Sequence, residues 1–179
     1  MSSLDDYRFR CGCCDEEHVG LPELGFRLPD LCARIPTAER EGRVQATSDT
    51  CVLDDEHYFI RAVLPVPLLD AQGARLEDEY NWGVWVSLSQ QNFLRYEELF
   101  HVEPPAGEGP YFGWLCTELP HYPTDESLKT MVHLRGDGQR PRVVLEPTEH
   151  PLAVHQREGV PIAQLIEWMT PYLHPPESA

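Results

Sequence analysis

The sequence predicts an α+β fold: a mainly antiparallel sheet with helices packed on one side, entered through an N-terminal, zinc-knuckle-like cysteine turn. Three observations carry that expectation. Trp82, Val84, Val86 and Leu88 fall two apart, which puts them on one face of a strand, and Ser89 then opens a run in which Phe93, Tyr96 and Phe100 take helical spacing. The alternating runs Lys129 to Arg135 and Arg142 to Glu146 flank Gly136-Asp137-Gly138, the pattern of a hairpin. The strands also follow one another without the regular helical crossovers that a parallel sheet requires.

Taken in order, residues 7 to 18 read as a short strand, a tight cysteine turn and a return toward Val19. Leu28, Leu31, Cys32 and Ile35 have helical spacing from about Asp30, and Pro36 ends that helix after about two turns. Thr37 to Gly42 is a charged helical turn, and Cys51-Val52-Leu53 is a short strand. His57 to Leu64 alternates as a strand that Pro65 and Pro67 turn into an edge or a stop. Asp70 to Glu79 and His101 to Pro110 read as surface loops, and Tyr111 to Leu119 as a β-prone segment. Thr148 is placed to cap a helix that ends at Gly159, whose lack of a side chain suits a left-handed residue. Pro161 opens a last helix with Ile162, Leu165, Ile166, Met169 and Leu173 along one stripe. The expected organisation is a single domain over residues 1–174 and a loose tail over 175–179.

A chain of 179 residues can bury a core without crosslinks, since about 70% of the unfolded surface is removed from water at this size. No apolar run approaches the ~20 residues that span a bilayer, and Met1 to Arg10 lacks the basic start and apolar middle of a secretory signal. The expected address is the cytoplasm, with thiols reduced. Fourteen basic residues against thirty acidic give a formal charge of −16. That balance repels phosphate backbones and anionic lipid, which argues against nucleic acid and membrane surfaces and favours encounter with a basic protein.

Cys11-Gly12-Cys13-Cys14 holds a C-x-x-C pair, with His18 four residues beyond Cys14. Two thiolates three apart on a tight turn can point at one cation, and an imidazole close behind can join them. Tetrahedral zinc takes about four ligands, and there is no second C-x-x-C, so a remote donor is required. The expected metal site is Cys11, Cys14, His18 and Cys51, with Cys32 the next choice for the remote ligand. The alternative for Cys13, Cys32, Cys51 and Cys116 is that they serve as small buried hydrophobes. A thioredoxin-like redox pair fits poorly, because Asp15-Glu16-Glu17 beside the thiols would raise their pKa.

Asp54-Asp55-Glu56-His57 sets three carboxylates beside an imidazole, a combination open to a hard-metal site or to acid/base chemistry, but a sharp acidic turn between strands explains the same letters and is the favoured reading. His121, His133, His150 and His155 read as surface or hydrogen-bonded residues. The chain has no G-x-S-x-G, no phosphate-binding glycine loop and no H-E-x-x-H.

Five blocks in order resemble the bacterial DUF2199 family: Phe9-Arg10-Cys11-Gly12-Cys13-Cys14 with His18 and Gly20-Leu21-Pro22; Ser48-Asp49-Thr50-Cys51-Val52 with Asp55-Glu56-His57 and Phe59-Ile60-Arg61; Trp82-Gly83-Val84-Trp85-Val86-Ser87-Leu88; Tyr111-Phe112-Gly113-Trp114-Leu115; and Glu146-Pro147-Thr148 through His150-Pro151-Leu152 to Gln156-Arg157-Glu158-Gly159. The resemblance runs from Tyr7 to Leu173 and implies a single-domain bacterial protein, with no catalytic residue to carry over. Two functional readings follow from the residues. One is a non-enzymatic zinc-binding interaction module, in its most concrete form an immunity or inhibitor protein for a basic toxin. The other is a small enzyme, zinc-dependent through the cysteine site or acid/base through His57 and Glu56.

Overall fold

Two long strands carry the molecule. β5 (His57–Leu69) and β6 (Arg75–Leu88) pair antiparallel from Tyr58 opposite Leu88 to Leu69 opposite Arg75, with a shift of register between Pro67 and Leu69. This computed structural model describes residues 7–11, 14 and 16–173; Cys13 and the expected tail at 175–179 lie outside them. The loop expected over 70–79 is shorter, because β6 already begins at Arg75. Asp70 makes the turn itself: its carboxylate accepts from the backbone N–H groups of Gln72 and Ala74, and Gly73 takes a φ of 80°.

Pro65 and Pro67 do not stop β5, which runs through both. The ladder explains this. Arg61 and Val63 direct their N–H groups to Asp49 O and Pro141 O, away from β6. Pro65 and Pro67 share that parity, so the donors they lack fall on the side away from β6 and leave the β6 ladder intact.

The remaining strands of the eight-stranded sheet are β3 (Val44–Ala46), β4 (Thr50–Leu53), β7 (Tyr111–Trp114), β8 (Lys129–His133), β9 (Arg142–Leu145) and β10 (Val160–Pro161). The order is β3-β4-β5-β9-β8-β7, with β6 and β10 also on β5. The sheet is mixed rather than mainly antiparallel, as β9 and β10 both run parallel to β5. Side-chain alternation specifies which residues face inward, and it leaves strand direction open when a long connection separates two strands. The β8–β9 hairpin forms as expected, with Val132 opposite Val143.

The sheet also closes on itself. Val86 makes an isolated bridge to Leu115, just beyond β7, and Cys116 N–H donates to Trp85 O. The path β5-β9-β8-β7 thereby returns to β6, which pairs with β5. Gly113 permits the approach, since a Cβ there would stand 2.1 Å from Ser87 O. Ile60, Ala62, Leu64, Val66 and Leu68 of β5 meet Trp82, Val84, Val86, Val132 and Val143 in the main core.

The helices expected on one side divide between two cores. α2 (Gln90–Leu99), α3 (Pro151–Glu158) and α4 (Ile162–Leu173) place Phe93, Tyr96, Leu152, Leu165 and Met169 in the main core. α1 (Asp30–Ala33) belongs elsewhere: Cys32 joins Cys51, Leu53, Phe59 and Trp85, residues on the opposite face of β4, β5 and β6. Both faces of the sheet are apolar at that end, so both need cover. α1 is also one turn rather than two. Ser89 caps α2 as expected, accepting from Asn92 N–H at 3.2 Å, whereas α3 is capped by His150 Nδ1 and not by Thr148. None of the described helices is long and apolar enough to cross a membrane.

Candidate metal centre

β1 (Arg8–Arg10) and β2 (Glu17–Val19) form a separate two-stranded ribbon with Phe9 opposite His18. Cys11 N–H donates to Glu16 O at 2.9 Å and Gly20 N–H to Tyr7 O at 2.8 Å, closing the ribbon at both ends. Strand parity then sets the chemistry. Phe9 and Cys11 are two apart and share the inward face, and His18, across from Phe9, stacks its ring on the phenyl at 5.8 Å. Cys14 lies in the turn, with Sγ 3.3 Å from His18 Nε2.

The sulfur atoms of Cys11 and Cys14 and a ring nitrogen of His18 all lie within 4.8 Å of one another. Donors held ~2.3 Å (sulfur) and ~2.0 Å (nitrogen) from one ion stand roughly 3.5 Å apart, so a modest contraction of this set surrounds a cation. Cys11 is buried and the other two are half-buried, which shields the donors while leaving an approach from solvent. Two sulfurs and an imidazole suit a borderline-soft ion such as zinc better than calcium or magnesium, which take oxygen ligands.

The sequence model of the family described as "Uncharacterized protein conserved in bacteria (DUF2199)" matches residues 10–160. The chain belongs to DUF2199. No curated protein matches it, and no solved structure does. The matched span begins at Arg10 and so takes in all three donors.

In this DUF2199 chain the fourth expected ligand, Cys51, stands apart from that group. It lies on β4, fully buried, with its thiol 3.7 Å from that of Cys32. Burial, with Cys32 beside it, pushes the Cys51 thiol up to about 12, and burial raises Cys32 as well. Both stay protonated at neutral pH and pack with Leu53, Phe59 and Trp85 as small core residues, outside the cluster of Cys11, Cys14 and His18. Cys116, pushed up to about 11 by burial, behaves alike.

The ribbon is tied to the sheet by short polar contacts. Tyr80 OH donates to Pro22 O at 2.6 Å, and Gly83 N–H donates to Leu24 O at 2.9 Å. Phe26 O then accepts from Arg61 and from the Trp85 indole.

The acidic run at 54–56 is a turn. Asp54 and Asp55 both take positive φ between β4 and β5, Arg43 grips Asp54 through two hydrogen bonds, and Asp55 accepts from Gln45. His57 is exposed beside them. Of the other histidines, His133 is exposed on β8, and His121 stacks flat on Trp168. His150 lines a concavity of about 350 Å³ with Asp30, Cys116 and Glu118. Both its nitrogens are engaged, Nδ1 accepting from Leu152 N–H and Nε2 donating to Pro123 O, which makes it a structural residue.

Proposed function

We propose that this DUF2199 chain is a non-enzymatic, zinc-binding protein-interaction module of the bacterial cytoplasm, and that its partner is a basic protein. Its most concrete form is an immunity or inhibitor protein that neutralises a basic toxin. The observation that carries the reading is the convergence of Cys11, Cys14 and His18 on a ribbon separate from the sheet. A zinc ion there would fasten the ribbon, and the large β5–β6 core would stand without it. Three donors leave one tetrahedral position to fill.

The partner follows from charge. With thirty acidic residues against fourteen basic, the chain attracts a cationic surface over long range and speeds encounter with it. The test has two arms. Hydrogen exchange over residues 7–20 should rise when a chelator is added while β5 and β6 stay protected. Capture of a basic partner by the immobilised chain should be strong at low salt and lost at high salt. Exchange indifferent to chelator removes the metal from the reading, and capture indifferent to salt removes the electrostatic partner.

A further inference from the structure

The outward face of β7, β8 and β9 carries a row of exposed apolar side chains. Phe112 pairs with Met131 and Met131 with Val144 across three strands, and each is more than two-fifths exposed. Trp114 sets its ring edge against Phe112 at 5.5 Å and widens the row. An apolar patch of this kind on an otherwise charged chain marks an interaction surface.

The charges beside the row indicate what covers it. Along β9 and the residue that follows it, the exposed residues read Arg142, Val144, Glu146: cation, apolar, anion. A two-fold axis lying along the row lays Val144 on Val144 and sets Arg142 of each copy over Glu146 of the other. Within a chain of formal charge −16, the face is close to neutral, since Lys129 pairs with Glu146 and Arg142 with Glu79. Two such chains repel through most of their surfaces and meet with least repulsion here. A strongly basic partner gains nothing from this face. We infer that the β7–β8–β9 face is a self-docking surface on which a second copy of this chain seats, with Met131 at its centre and reciprocal Arg142–Glu146 ion pairs at its margin.

Sedimentation equilibrium of the full chain from about 1 to 100 µM, a range that brackets micromolar association, tests this. The wild type should dimerise. Met131→Glu should be monomeric with an unchanged circular dichroism spectrum. Arg142→Glu and Glu146→Arg should each weaken association about tenfold, and the chain carrying both should regain it, because each reversed charge then meets a reversed partner. A wild type that is monomeric throughout overturns the proposal, as does a dimer that Met131→Glu leaves intact. Should Met131→Glu fail to fold, the two exposed charge substitutions and their combination decide: a combination as weak as either alone refutes the arrangement.

Discussion

The Cys51 thiol lies 3.7 Å from the Cys32 thiol, and both are sealed from solvent between α1 and the sheet. The pair packs as core, whereas the proposed function makes Cys11 and Cys14 metal ligands. Cys51→Ala should leave the metal content unchanged and lower stability by about 1 kcal/mol, the scale of a small core truncation. Cys11→Ser should do the reverse in kind: zinc is lost, and the unfolding midpoint of the sheet moves little. Urea melts paired with metal analysis check both.

Phe26 O accepts from Arg61 at 2.5 Å and from the Trp85 indole at 2.8 Å, and the Arg61 guanidinium sits 4.8 Å over the Trp85 ring. Arg61→Leu keeps the aliphatic packing and removes the hydrogen bond and the cation–π contact. The expected loss is about 1–2 kcal/mol, with faster hydrogen exchange over residues 22–28. An unchanged exchange rate there would show that the segment is held by other contacts.

Gly113→Ala should be among the most damaging single substitutions, costing about 3 kcal/mol. The added methyl would meet the backbone oxygen of Ser87, which no side-chain rotation can move away. Gly25→Ala, where nothing stands within 4 Å, should stay within about 0.5 kcal/mol of the wild type. Thermal melts of the two variants make the comparison.

His155 faces Tyr122 OH at 3.0 Å, and burial lowers its pKa from 6.5 by more than Glu158 raises it. The folded chain therefore binds fewer protons at this site than the unfolded chain. Its contribution to stability is complete above 6.5 and declines as pH falls below that value, toward the lowered folded pKa. His155→Gln should flatten the stability profile on the acid side of 6.5, measured as the difference between wild-type and variant urea midpoints at each pH. A parallel pair of profiles would contradict the assignment.

Local signals carried most of what the sequence reveals. Trp82, Val84, Val86 and Leu88, the Ser89 cap and the β8–β9 hairpin are each decided by residues close together in sequence, and the structure has them all. The ribbon donors are likewise local, with Cys11, Cys14 and His18 spanning a single turn. What escaped depends on distance along the chain. Cys51 has the right parity for burial, but both faces of the sheet are covered at that end, and parity does not say which face meets the ribbon and which meets α1. The direction of β9 against β5, and the closure through Val86 and Leu115, are set by packing between segments far apart in sequence. Pro65 and Pro67 misled for a related reason: proline is costly only where its missing donor faces a partner strand.

The mass of the chain under native conditions, set against its denatured mass and repeated for Cys14→Ser, tests the metal site most directly. The account predicts an excess equal to one zinc ion per chain, absent from the variant. Protein prepared with zinc present that shows no excess mass, or a Cys14→Ser chain that keeps its zinc in full, would contradict it.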